Sequence, residues 1–211
     1  MRLILVFFLA FALTGCAVGN KHGYTIGPDF STQLSPQGAR SVAIAAQDAR
    51  PYVLNKEKTP DFVGLSRGGF GNPFDVTTES GRALAEDFAA AISASLARRG
   101  FKSTTVNVAA STAQPDVRAL AAQAGAERLA LLAIHEWKSD TFQNTALLYE
   151  LVLRVFDASG NELAMNRIAG RDNLGGSLMN PPAHARGAVP EAFRRKLAEL
   201  FGTETVQKSL R

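Results

Sequence analysis

Ala146-Leu147-Leu148-Tyr149-Glu150-Leu151-Val152-Leu153-Arg154-Val155-Phe156, followed directly by Asp157-Ala158-Ser159-Gly160-Asn161, decides the fold class of this chain. Leu147, Tyr149, Leu151, Leu153 and Val155 share one face of a strand, while Glu150 and Arg154 mark the other as partly wet. The polar turn containing Gly160 predicts a hairpin into a second strand over Glu162 to Arg171. Arg128 to Lys138 predicts a third strand upstream. Such a sheet needs a cover on one side.

Two helices supply that cover. Over residues 79–99, Leu84, Phe88, Ile92 and Leu96 recur every four residues along one stripe, with Thr77 or Thr78 as the cap. Gly100 ends the helix, and Phe101 can pack back on its last turn. Val189, Phe193, Leu197, Leu200 and Phe201 give a C-terminal helix its apolar face, with Pro190 at or near its start. One more short turn follows Thr203.

Val42 to Asp48 reads as a buried strand that stops at Arg50-Pro51. Phe101 to Val108 reads as another, and Pro115 to Ala124 as a shorter helix with Gly125 past its end. The chain is therefore α+β: one domain over residues 41–211, βαβα followed by antiparallel strands and a C-terminal helix. Its mixed sheet has about five strands, with helices mainly on one face. Residues 52–77 hold Pro60, Pro73 and the run Gly64-Leu65-Ser66-Arg67-Gly68-Gly69-Phe70-Gly71-Asn72, and read as a long ordered loop.

The other end of the chain gives an address. Leu13-Thr14-Gly15-Cys16 stands behind Arg2 and an apolar run from Leu3 to Leu13, the pattern of a lipoprotein signal peptide over residues 1–15. About eleven apolar residues are too few to span a bilayer, for which about twenty are needed. Acylation of Cys16 also accounts for a cysteine that is the only one in the chain. Residues 16–40, rich in Gly, Ser, Pro, Asn and Gln, read as a lipidated tether that includes His22.

The charge balance is mild, 23 Lys and Arg against 19 Asp and Glu. Without a basic block it gives no reason to expect a nucleic-acid partner. Arg98-Arg99 and Arg194-Arg195-Lys196 read as solvated helix ends. His22, His135 and His184 fit no metal-ligand spacing, and no nucleophile elbow, Walker loop or dinucleotide fingerprint occurs. No cofactor, metal or catalytic residue is expected, and the chain reads as a non-enzyme.

Three places remain as candidate contacts. Asp48 and Arg50, two apart on one face, read chiefly as a structural bond to the following loop. Phe62, Arg67, Phe70 and Phe74 put aromatic and cationic groups on the 52–77 segment; they either fold back on the domain or dock onto a partner. His135 and Trp137 share one face of their strand and could line an uncovered sheet face that binds a small ligand.

The signal with Cys16, the Val42-to-Arg50 strand ending Asp48-Ala49-Arg50, the long helix ending Arg98-Arg99-Gly100-Phe101, and the late hairpin before a C-terminal helix together resemble the YajG-type bacterial lipoproteins. The resemblance covers most of the mature chain, apart from a longer 52–77 insertion. It implies a cell-envelope lipoprotein without established enzymatic activity and carries over no catalytic residue. By analogy with lipoprotein sorting, Ala17 after the acylated cysteine points to the outer membrane, with the domain facing the periplasm. The leading expectation is a non-enzymatic accessory or assembly subunit anchored at Cys16 that engages an envelope protein partner. The alternative is a lipoprotein that binds a small glycan or lipid.

Overall fold

The computed structural model describes residues 19–25, 40–112 and 114–211. Cys16, the signal peptide and most of the expected tether lie outside them. The strands are β1 (Lys21–His22), β2 (Ser41–Asp48), β3 (Phe62–Arg67), β4 (Pro73–Thr78), β5 (Lys102–Asn107), β6 (Arg128–Thr141), β7 (Asn144–Asp157) and β8 (Glu162–Gly176). The helices are α1 (Pro51–Leu54), α2 (Leu84–Arg98), α3 (Val117–Gln123), α4 (Pro181–Phe201) and α5 (Glu204–Ser209).

The α+β class holds, and the three long strands β6, β7 and β8 form an antiparallel backbone for the sheet. On its other edge β6 takes two parallel partners in succession. Its first half pairs with β2, which pairs in turn with β5. Its last residues pair with β3, which leads through β4 to β1. Among the described residues the sheet therefore has eight strands where about five were expected.

The three added strands come from two segments that read as irregular. Residues 51–78, the expected loop with one residue more at each end, hold α1 and the β3–β4 hairpin. In the hairpin, the Gly68 amide donates to Asn72 and the Gly71 amide to Gly68, with Gly71 at φ 81°. A three-residue loop ending in a left-handed glycine is a standard way to close a hairpin, so these glycines turn two strands. Pro73 is tolerated because it opens its strand. The third strand is β1, which removes residues 20–24 from the expected tether and adds them to the sheet and core.

The apolar stripe of α2 is fully buried at Leu84, Phe88, Ile92 and Leu96. The helix starts at Leu84, later than expected, and Thr78 ends β4 instead of capping it; its hydroxyl donates to the Arg82 carbonyl at 2.7 Å. Gly100, at φ 89°, closes the helix, and Phe101 is buried with its amide on the Leu96 carbonyl. In α4 the Asn180 side chain accepts from the Ala183 amide, and Pro181 and Pro182 begin the helix. Pro190 falls inside it, carried by the burial of Val189, Ala192 and Phe193 on either side.

α2, α4 and α5 contribute to one large core on one face, while α3 covers a smaller cluster with Ala43, Ala45, Leu129, Leu131 and Phe156 on the other. At the centre of the main core, Tyr24, Phe88, Trp137 and Phe193 pack ring on ring. Their centroids lie 4.7 to 6.2 Å apart in mostly edge-to-face contacts. The Trp137 indole N–H donates to the Tyr24 hydroxyl at 3.0 Å, which satisfies both buried polar tips.

This corrects the expectation for His135 and Trp137. The β6–β7 register shifts between Ile134 and Glu136, so His135 is the extra residue of a bulge. Side-chain parity changes there: Trp137 joins the inner face with Leu132 and Ile134, and His135 points to solvent. No open sheet face joins the two residues.

Candidate functional site

The loop end of the sheet gathers the features that the core leaves unused. Because β3 runs parallel to the end of β6, with Ser66 opposite Thr141, the β3–β4 tip lies beside the β6–β7 tip. The β8–α4 connection joins them, since the Ser177 amide donates to the Gln143 carbonyl at 3.1 Å. Between these loops is a cleft of about 570 Å³ lined by Arg67, Asp140, Gln143, Arg171, Asp172 and Asn173, among others.

Arg67 forms one wall. Its Nε and Nη2 donate to the two Asp140 oxygens at 2.8 and 2.7 Å, a bidentate pair, and Nη1 reaches the Gly71 carbonyl at 3.3 Å. The guanidinium thus ties the hairpin tip to the neighbouring strand. On the opposite side Asp172 accepts from Lys196 at 3.0 Å, and Lys196 also donates to the Tyr149 hydroxyl at 2.7 Å. Burial lowers the pKa of the Lys196 ammonium, but hydrogen bonds to Tyr149, Asp172 and Glu199 outweigh it and raise the value above its ordinary one. Lys196, expected at a solvated helix end, is instead drawn against the sheet at Tyr149 and Asp172. Both carboxylates of the cleft have cationic partners, whereas Arg171 has no carboxylate partner among the described residues.

Around the cleft the loops carry exposed apolar side chains. Phe70, at the β3–β4 tip, is 102% exposed, Leu178 is 83% and Met179 95% exposed in the β8–α4 connection, and Phe142 is 43% exposed at the β6–β7 tip. Large apolar groups gathered at one end of a molecule mark an interaction surface. Phe142, Leu178, Met179 and Arg171 escape sequence reading because their proximity depends on strand register. The available signal was an apolar residue at a turn, beside Gln143 and before Asn180-Pro181.

The expected partner-binding set divides. Arg67 and Phe70 lie on this surface. Phe74 is half-buried on β4 near Gly68. Phe62 is 2% exposed, with its ring edge-on to Tyr52 at 5.6 Å and capped by Lys58, so it belongs to the fold. Trp137 leaves the ligand-binding set because it is buried in the core. His135 stays on the surface of the strand.

Two buried polar groups could suggest chemistry. His22 Nε2 lies 3.2 Å from the Ser139 hydroxyl, yet that hydroxyl is fully buried and directed also to the Val63 carbonyl. The pair joins β1 to β6 and has no opening to a substrate. No cluster of three metal-ligating side chains occurs among the described residues, and no described helix is long and apolar enough to cross a membrane.

No family model matches the chain, and no curated protein matches it in sequence. In fold it is similar to the crystal structure of protein XCC0632 from Xanthomonas campestris, of the family DUF330. That likeness has a TM-score of 0.52 at 12% identity and covers 90% of this chain and 96% of that one. More distant likenesses include the PelC dodecamer from Paraburkholderia phytofirmans, at TM-score 0.47 and 11% identity over 84% of this chain and 92% of that one. Another is lipoprotein GNA1162 from Neisseria meningitidis, at 0.33 and 14% over 76% and 99%. The chain shares the α+β fold of the Xanthomonas protein.

Proposed function

We propose that this protein is a YajG-type lipoprotein of the cell envelope, acylated at Cys16, held in the outer membrane and facing the periplasm. It works without catalysis, as an accessory subunit that holds another envelope protein at the leaflet. The observation that carries this reading is the coincidence at one end of the sheet of the anchor's entry point, the polar cleft and the exposed apolar loops. Asn20, four residues after Cys16, is buried at that end, with its side-chain amide donating to the Ser66 hydroxyl and its oxygen accepting from Arg186. Paired carboxylates and a free-standing arginine suit recognition of a polar surface more than proton transfer.

A second reading keeps the ligand-binding alternative but moves it from His135 and Trp137 to the cleft. Its volume suits a small ligand, and Arg67, Gln143, Asn144, Arg171 and Asn173 converge on it with donors for sugar hydroxyls or an anionic head group.

The test is purification of the lipidated protein from its own envelope in mild detergent, wild type against Arg171→Glu. Companions recovered with wild type and lost with an equally stable Arg171→Glu variant support protein docking at the cleft. Identical companions with both remove the cleft from that role. Absence of fatty-acid label on wild type, or equal label on Cys16→Ser, overturns the anchoring itself.

A further inference from the structure

We infer that the loop end is a membrane-contacting face, and that Phe70, Phe142, Leu178 and Met179 enter the interface of the leaflet in which the Cys16 lipid is buried. The inference rests on acylation at Cys16 and goes further by naming what covers the apolar loops.

Chain length carries the argument. Four residue steps separate Cys16 from Asn20, so the acylated cysteine lies within about 14 Å of Asn20 even when fully extended. Lys21 pairs with Thr77 in a parallel register, which places Asn20 level with Val76 on the side of the hairpin tip. From Val76 back to Pro73 is three strand residues, about 10 Å, and the loop with Phe70 projects beyond that. The Cys16 lipid and the loop with Phe70 are thus both tied to the neighbourhood of Asn20. A connection of only four residue steps leaves the domain little freedom to turn that end away.

The chemistry of the face agrees. Phe70, Leu178 and Met179 are exposed, Arg171 lines the same cleft as Phe142, and Arg186 donates to Asn20; aromatic and arginine side chains together favour the boundary between head groups and acyl chains. Asp140 and Asp172 add no uncompensated negative charge, since Arg67 and Lys196 hold them.

The experiment places a polarity-sensitive fluorophore on the acylated protein in vesicles of phosphatidylethanolamine and phosphatidylglycerol. Acylation consumes the single native cysteine, so Phe70→Cys, Phe142→Cys and Met179→Cys each present one free thiol. Ser159→Cys, in the β7–β8 turn at the far end, is the control. Lipids brominated along the acyl chain should quench the first three severalfold more than the control and shift their emission to the blue. Water-like, unquenched emission at 70, 142 and 179 on protein that floats with the vesicles overturns the inference and leaves the anchoring intact. A blue shift without quenching also overturns it and assigns the patch to protein cover. Failure of the acyl-labelled chain to float removes the anchoring reading and this inference together.

Discussion

Arg50 grips the carboxylate of Asp48 two residues before it, with Nε on Oδ1 at 2.8 Å and Nη2 on Oδ2 at 2.6 Å, and both side chains are buried. The pair stands where β2 leaves the edge of β6 and β3 has not yet arrived. There the guanidinium also donates to the carbonyls of Phe62, Pro60 and Trp137. It satisfies backbone groups that a continuous strand would otherwise pair.

Removing one partner should therefore be severe. Asp48→Ala leaves a buried guanidinium without its counter-charge and should cost about 3 to 5 kcal/mol. Replacing an exposed partner, as in Glu204→Ala beside Lys208, should cost far less, because solvent screens that pair. Urea unfolding of the non-acylated mature chain checks this; equal losses would show that the buried pair is no more than a surface bridge.

The α2 stripe predicts a similar contrast within one helix. Phe88 packs on Tyr24, Trp137 and Phe193, and Phe88→Ala should cost about 3 to 5 kcal/mol through lost burial and the cavity left behind. Arg98→Ala, at the exposed last turn, should cost under about 1 kcal/mol. The same unfolding series decides, and comparable values for the two would mean that the helix is turned the wrong way.

These two predictions separate what the residues disclose from what they conceal. The four-residue recurrence from Leu84 to Leu96 and the alternation from Leu147 to Val155 are periodic signals, and each maps onto one buried face. The β3–β4 hairpin has short strands, and its glycines and prolines suggest irregular chain to any reading based on propensity. One of those glycines is demanded by tertiary packing: a Cβ on Gly64 would stand 2.0 Å from the Ser139 hydroxyl and 2.5 Å from its carbonyl. Strand β1 has two residues and no intrinsic preference to reveal it; Tyr24 fixes it by docking on Trp137. Trp137 in turn was placed on the wrong face because a bulge at His135 leaves no mark in a single sequence. The candidate site was legible at Arg67 and Phe70 alone, since the other loops reach it through strand register.

His22 makes the stability of β1 dependent on pH. Burial lowers its imidazole pKa from 6.5 to about 4, with a backbone hydrogen bond at Lys21 opposing and the Arg186 charge adding to the fall. The folded value lies below the unfolded one, so the unfolded chain binds the proton first. The stabilisation is complete above about 6.5 and is lost as pH falls from there toward about 4, to a limit of roughly 3 kcal/mol. Release of β1 alone would cap the loss earlier. Unfolding midpoints at pH about 7.5 and about 5 should differ clearly less in His22→Gln than in wild type. An unchanged difference would mean that His22 titrates as an exposed histidine.

Arg67 and Phe70 should part company when each is replaced alone. Phe70 is fully exposed at the hairpin tip, so Phe70→Ala should leave stability within about 0.5 kcal/mol of wild type. Arg67 holds that tip to Asp140 through a half-exposed bidentate pair, and Arg67→Ala should cost about 1 kcal/mol while leaving a carboxylate unpaired in the cleft. The distinction governs how any loss of function is read. A defect in Phe70→Ala reports on what the tip touches, whereas a defect in Arg67→Ala also reports on where the tip is held. Thermal unfolding of the two single variants checks the difference. A large fall in melting temperature for Phe70→Ala would mean that its ring packs on its own domain, and the exposed tip would then cease to be a contact surface.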